Sequence, residues 1–176
     1  MLAVGGAEVL VTYRSGRPDA ERIVAELGPR AAVAQLDATA ISSPRPWPFE
    51  DPPTHLYYLA TPRIPALSRF SREELDEMLR VYVHGLHDVA LAYAPVHVWA
   101  PSTIFLDTGA GSTAYALAKA AMEELGRRLP QLAKVTVRTP RLPRIATDQT
   151  AGLIQLPAAP ALDVALAEVR AMPRSQ

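Results

Sequence analysis

The chain of 176 residues contains no cysteine. That excludes disulfides, thiolate nucleophiles and thiolate metal sites, and it agrees with a reducing compartment. Lysine occurs only twice, and the 18 basic and 18 acidic residues are scattered without runs and leave zero net charge. No basic stripe that would bind nucleic acid or an anionic membrane surface is present. The apolar stretches are broken by Pro, His or a charge well short of the roughly 20 residues a membrane helix needs. No basic n-region followed by an apolar core marks a secretory signal. A cytoplasmic protein is expected, with neither nucleic acid nor membrane as a partner. His84, His87 and His97 lack the Cys or acidic spacing of a metal site and read as packed or exposed histidines. GAGSTA (109–114) lacks the G-x-S-x-G order of a nucleophile elbow, which argues against a serine hydrolase.

What is present is a chain with 49% hydrophobic residues, enough for one sizeable core, so residues 1–176 read as a single domain. No internal repeat occurs. Prolines cluster between Ile41 and Thr54, a stretch that must be loop because Pro cannot sit inside regular elements.

Along the chain the apolar period alternates between strand and helix. GAEVLVTYRSG reads as the end of a helix, a glycine turn and a strand from about Glu8 to Tyr13. PDAERIVAEL follows with helical spacing at Ala20, Ile23, Val24 and Leu27. AAVAQLDAT is a second strand ended by Asp37 and Thr39, and HLYYLATP (55–62) a third. SREELDEMLRVYVHGLHDVALAYA (71–94) is one long helix capped by Ser71. VHVWAPSTIFL (96–106) is a strand or strand pair, TAYALAKAAMEELGRRL (113–129) an Ala-rich helix, KVTVRTPRL (134–142) a strand, and 160–172 a last amphipathic helix. Continuously apolar strands separated by helices imply a parallel sheet covered on both faces, a doubly wound α/β architecture.

In such sheets ligands bind beyond the carboxyl ends of the strands. The informative segment there is PSTIFLDTGAGSTAYALAKAA. Tyr115 and Lys119 are four apart on a helix and share a face, so an ammonium can approach the phenol. With six tyrosines and two lysines in the chain, a chance pair at this spacing is rare. Ser102 lies thirteen residues before Tyr115 at a strand end, where its hydroxyl can point at the same place. A phenol near pKa 10 is a poor acid–base group at neutral pH, and a nearby cation favours its phenolate.

Ser102, the gap, YALAK and the following AAMEEL resemble the catalytic segment of the short-chain dehydrogenase/reductase family, particularly its ketoreductase-like branches. The resemblance implies a Rossmann-like fold and NADP(H)-dependent reduction of a small carbonyl substrate. Tyr115 would donate the proton, Lys119 would lower its pKa and contact the nicotinamide ribose, and Ser102 would hold the carbonyl oxygen. It extends to GAEVLVTYRS as the family's second strand, with Arg14 and Ser15 placed at the cofactor and Arg14 at the 2′-phosphate position. Asp37 in LDAT would lie near the adenine, and Ala60 in THLYYLATP would sit beside the cofactor after the fourth strand. Pro143 and Thr147 fall roughly where a lid over cofactor and substrate lies, with Arg144 in place of its Gly.

The sequence also departs from the family pattern. Its Asn-Asn-Ala-Gly is here Tyr58, Leu59, Ala60 and Thr61, and the helical Asn of its proton relay falls on Tyr82, three residues before Gly85. The family's first strand and Gly-rich phosphate loop would precede Met1, so a truncated sheet with two unpaired inner edges is expected, and three outcomes stay open: the sheet closes up, a second copy or a partner chain fills the gap, or the sequence is a fragment of a longer product. These departures support an alternative, a catalytically silent reductase-like remnant that serves as a structural or interaction module.

Overall fold

The computed structural model describes residues 2–3, 5–41, 47–64, 70–109, 112–145 and 159–173. Strand β1 (Val9–Tyr13) is followed by α1 (Arg17–Leu27), which starts with Pro18 in its first turn and stops at Gly28, whose φ of 83° few other residues adopt. The chain then returns as β2 (Ala31–Gln35), parallel to β1 with Val11 opposite Val33. Strand β3 (His55–Tyr57) pairs in parallel with β4 (His97–Trp99), and β4 with β6 (Thr136–Arg138), in the order β3-β4-β6.

Pro101 has no N–H to give and divides the next strand, so that β4 is continued by the short β5 (Ser102–Thr103), and β6 by β7 (Arg141–Leu142). The ladder still runs through: Ala100 N–H donates to the Arg138 carbonyl at 2.9 Å and Ser102 N–H to the Pro140 carbonyl at 2.8 Å. The expected strand 96–106 is therefore a pair of strands that ends at Thr103. Beyond it Phe105–Thr108 winds into a single helical turn, α4, because the Thr103 hydroxyl accepts the Phe105 N–H at 3.3 Å and Gly109 closes the turn at φ 67°.

The expected helix 71–94 is continuous but not uniform. It runs as α2 (Arg72–Leu79), a π-helical stretch Arg80–Gly85, and α3 (Leu86–Tyr93). Ser71 caps it as expected, its Oγ accepting the Glu74 N–H at 3.3 Å. The widened turn has a local cause on the strand side. Tyr58, just past β3, donates its hydroxyl to the Val81 carbonyl at 2.6 Å, and Gly85 packs so closely beneath that phenol that an added Cβ would meet the Tyr58 hydroxyl and lie 3.0 Å from the Ala38 carbonyl. Gly85→Ala is expected to destabilise the chain by about 1–3 kcal/mol despite alanine's better helix propensity, since backbone and a buried phenol must move. A urea midpoint equal to or above that of the unmodified chain would contradict this packing.

Helix α5 (Thr113–Leu132) is capped by Ser112 and carries Pro130 in its last turn. Its buried side chains Ala118, Met122 and Leu129 pack with Met78, Tyr82, Leu86 and Val89 of the long helix and with Val98 of β4 to form the core. Leu56 and Val137, neighbours of Val98 in the register, close it from the sheet side. The alternate residues of the same strands, His55, Tyr57, His97 and Trp99, point to the other face. There α6 (Ala161–Ala171) docks through Glu168, which accepts from the Trp99 indole at 3.0 Å. Helices thus cover both faces of parallel strands, the doubly wound arrangement expected. Among the described residues the β1–β2 pair and the β3-β4-β6 strands share no strand pairing.

Candidate functional site

The carboxyl ends of the strands place β5, the first turns of α5 and the π-helical stretch against one another. Tyr115 and Lys119 lie on successive turns of α5, with the Lys119 ammonium 5.8 Å from the centre of the Tyr115 ring. Lys119 is 6% exposed. Its Nζ donates to the Pro101 carbonyl at 2.7 Å and stands 4.0 Å from the centre of the Tyr82 ring, a cation–π contact in a dry setting. Burial pushes the Lys119 amine down to about 7, against a smaller opposing pull from the Glu123 carboxylate.

Tyr82 occupies the ground between helix and site. Its ring meets that of Tyr115 edge-on at 5.8 Å, and its hydroxyl shares a very short hydrogen bond with the Thr61 hydroxyl. Sequence reasoning saw Tyr82 only as a substituted Asn. Its role as a platform for Lys119 needed the three-dimensional proximity of two elements with no sequence signature.

Ser102 and Thr103 are both buried against α5. The hydroxyl that faces the Tyr115 phenol is that of Thr103. Ser102 Oγ makes no hydrogen bond of good geometry, and the polar group it faces is Glu123. Burial drives the Tyr115 phenol above its ordinary value, and the Thr103 hydrogen bond recovers part of that shift. The Lys119 ammonium is turned toward the Pro101 carbonyl and the Tyr82 ring rather than toward the Tyr115 hydroxyl.

Glu123 is gripped by Arg141 of β7 through two bonds of 2.8 and 2.7 Å, and the same guanidinium binds Asp107 of α4. The Arg141 pair is the main reason that the Glu123 carboxyl sits below the usual carboxylate range. This knot ties β7, α4 and α5 together behind β5, and sequence reasoning missed it. The three partners are 18 and 34 residues apart in the chain, beyond any local pattern.

The cofactor candidates lie at the same edge. Arg14 and Ser15 are exposed just beyond β1, and Gln35 donates to the Arg14 carbonyl at 3.1 Å. Asp37, just beyond β2, uses Oδ1 to accept the Thr39 N–H at 2.9 Å and the Thr39 hydroxyl at 2.7 Å, bonds that hold its carboxyl below the ordinary value, with Arg14 a weaker influence. Ala60 is half-buried against the core after β3. An exposed guanidinium, an acceptor, a small residue and two hydroxyls thus lie at or just beyond the carboxyl ends of β1, β2, β3 and β5. Of these, the exposed Arg14 guanidinium is a group that could hold a phosphate. Pro143 follows β7, and Thr147 lies outside the described residues. Among the described residues no group of three or more His, Asp or Glu side chains is placed to hold a metal ion, and no helix is long and apolar enough to cross a membrane.

The arrangement defines an α/β fold with ligand-competent strand ends, and solved structures sharpen this to a type: the fold is that of the short-chain dehydrogenase/reductases. A short chain dehydrogenase/reductase family protein shares 19% identity at a TM-score of 0.63, over 83% of this chain and 66% of that one. An alcohol dehydrogenase from the archaeon Thermococcus sibiricus, complexed with 5-hydroxy-NADP, shares 16% identity at a TM-score of 0.75, over 98% of this chain and 83% of that one. A gluconate 5-dehydrogenase from Burkholderia cenocepacia J2315, in complex with NADP and tartrate, shares 17% identity at a TM-score of 0.65, over 88% and 68%. No family model and no curated protein matches the sequence.

Proposed function

We propose that the chain is an NADPH-dependent reductase of a small carbonyl compound, working in the cytoplasm, with Tyr115 as proton donor. The observation that supports this reading most is the meeting of Tyr115, Lys119 and the buried hydroxyls of β5 at the carboxyl end of a parallel sheet. A bound NADPH would supply the hydride that reduces the carbonyl carbon. The chain's own part is to hold the carbonyl oxygen and deliver a proton to it. Burial keeps the Tyr115 phenol protonated at neutral pH but also makes it a weaker acid, so proton delivery needs a cation brought close to it. Lys119 would turn from Pro101 toward the ribose and the developing oxyanion, where a cation helps most. Arg14 and Ser15 would meet the 2′-phosphate, Asp37 the adenine, and Ala60 the space beside the nicotinamide half.

The alternative reading, a silent reductase-like module, draws support from a specific feature. The Lys119 amine is already satisfied by the Pro101 carbonyl and the Tyr82 ring. In that reading the unpaired strand edges would receive a second copy or a partner chain. Calorimetric titration with NADPH separates the two. Saturable binding, tighter than for NADH and weakened selectively by Arg14→Ala, is the expected result. Absence of heat up to millimolar cofactor would overturn the reductase reading and leave the module.

A further inference from the structure

We infer that Tyr82 is the positioning residue of this site: the face of its ring seats the Lys119 ammonium within reach of Tyr115. The inference rests on the reductase reading above and gives Lys119 a partner that the sequence does not announce. Lys119 is 6% exposed, and among the described residues the close contacts of its Nζ are with neutral groups. They are the Pro101 carbonyl at 2.7 Å, the Met122 sulfur at 3.8 Å and the Tyr82 ring, whose centre is 4.0 Å away. Glu123, one turn further along α5, is held by Arg141 through two bonds instead. Tyr82 is itself 2% exposed and fixed from two sides. Its hydroxyl bonds the Thr61 hydroxyl beyond β3, and the carbonyl of its neighbour Val81 accepts from Tyr58 at 2.6 Å.

A buried ammonium with no carboxylate of its own needs another source of negative potential, and an aromatic face supplies one. Where that face lies matters as much as its presence. The Tyr82 and Tyr115 rings meet at 70° with centres 5.8 Å apart, and the ammonium stands in the corner between them, 5.8 Å from the centre of the Tyr115 ring. Rotation about the side-chain bonds of Lys119 thus carries the charge from Pro101 toward Tyr115 without leaving an aromatic face. No bond is made or broken at Tyr82. It acts through Lys119, by keeping the amine charged in the corner from which it reaches the phenol. The titratable groups around this amine are Tyr115 and Glu123 on α5, Tyr82 on the π-helical stretch and, behind Glu123, Arg141 of β7. Burial already holds the amine near 7, so a weaker pull from the ring leaves less of it charged at neutral pH.

The test changes the charge distribution of the ring while nearly preserving its shape. In the full chain Tyr82→Phe serves as the reference, and difluoro- and trifluorophenylalanine at the same position withdraw electron density from the face in steps. Lysine labelled with carbon-13 at Cε reports the amine by magnetic resonance, and since only two lysines occur, Lys134→Arg assigns the Lys119 signal. Relative to the reference, the Lys119 titration midpoint is expected to fall by about 1 pH unit along the fluorinated series. The kcat/KM for NADPH oxidation with ethyl acetoacetate should then drop about fivefold at pH 7 and recover near pH 5.5, where the amine is charged in every variant. A midpoint indifferent to fluorination would overturn the inference, whatever the activity. A midpoint that follows the series in a chain that oxidises no NADPH would overturn the reductase reading and with it the use of this seat in catalysis.

Discussion

Tyr115→Phe is expected to lower kcat about 10²–10⁴-fold for any ketone that the unmodified chain reduces with NADPH, while the urea midpoint changes little. The rate loss corresponds to about 3–5 kcal/mol of transition-state stabilisation, the part contributed by a positioned proton donor. The small folding effect follows from what the phenol touches. Its ring stays in edge-on contact with Tyr82 and Phe105, and only the hydroxyl facing Thr103 is lost. That loss costs on the order of 1 kcal/mol of stability. A variant that turned over at the parent rate would remove Tyr115 from the chemistry, whatever cofactor the chain binds.

The second large effect concerns Lys119 and pH. The folded chain holds this amine near 7 and the unfolded chain releases it to its ordinary 10.5, so between those values the unfolded state binds more protons. Stability must then rise with pH across that window. Below pH 7 the amine is charged in both states and adds no slope. From pH 7 to about 9.5 the gain amounts to about 3 kcal/mol. Above pH 10 the sign reverses, because burial holds the phenols of Tyr58, Tyr82 and Tyr115 above their ordinary 10.0 and the unfolded chain sheds those protons first. Lys119→Met is expected to flatten the rise between pH 7 and 9.5 in chemical denaturation, leaving the decline above pH 10. An equal rise in the variant would mean that Lys119 is not the group that titrates.

The sequence carried much of this architecture because its local signals agree. The Ser71 and Ser112 caps, the Ala-rich face of α5 and the bare apolar strands each specify one element, and the Tyr115–Lys119 spacing points to one helix face. What it did not carry depends on contacts between distant elements. The π-helical stretch at Arg80–Gly85 leaves the apolar spacing intact and owes its shape to Tyr58, more than twenty residues away in the chain. The strand that seemed to run to Leu106 ends at Thr103, since the side chain that turns it belongs to a good strand former. Lys119 stood out as rare, but its partners, a Pro101 carbonyl and an aromatic face, have no spacing to find.

The absence of strand pairing between β1–β2 and the other strands, among the described residues, bears on how the molecule breathes. A unit held by its own crossover helix and by Leu36, Ala38 and Ile41 resting on the core has fewer bonds to break than the strands clamped between α5 and α6. Its amides belong at the low end of opening free energies, and those of Val98 and Ala100 at the high end. Arg14, Ser15 and Asp37 ride on the unit that opens first, while Thr103, Tyr115 and Lys119 sit on the one that opens last. Under the proposed reductase function, dinucleotide capture and proton transfer would fall to parts of the chain with different lifetimes.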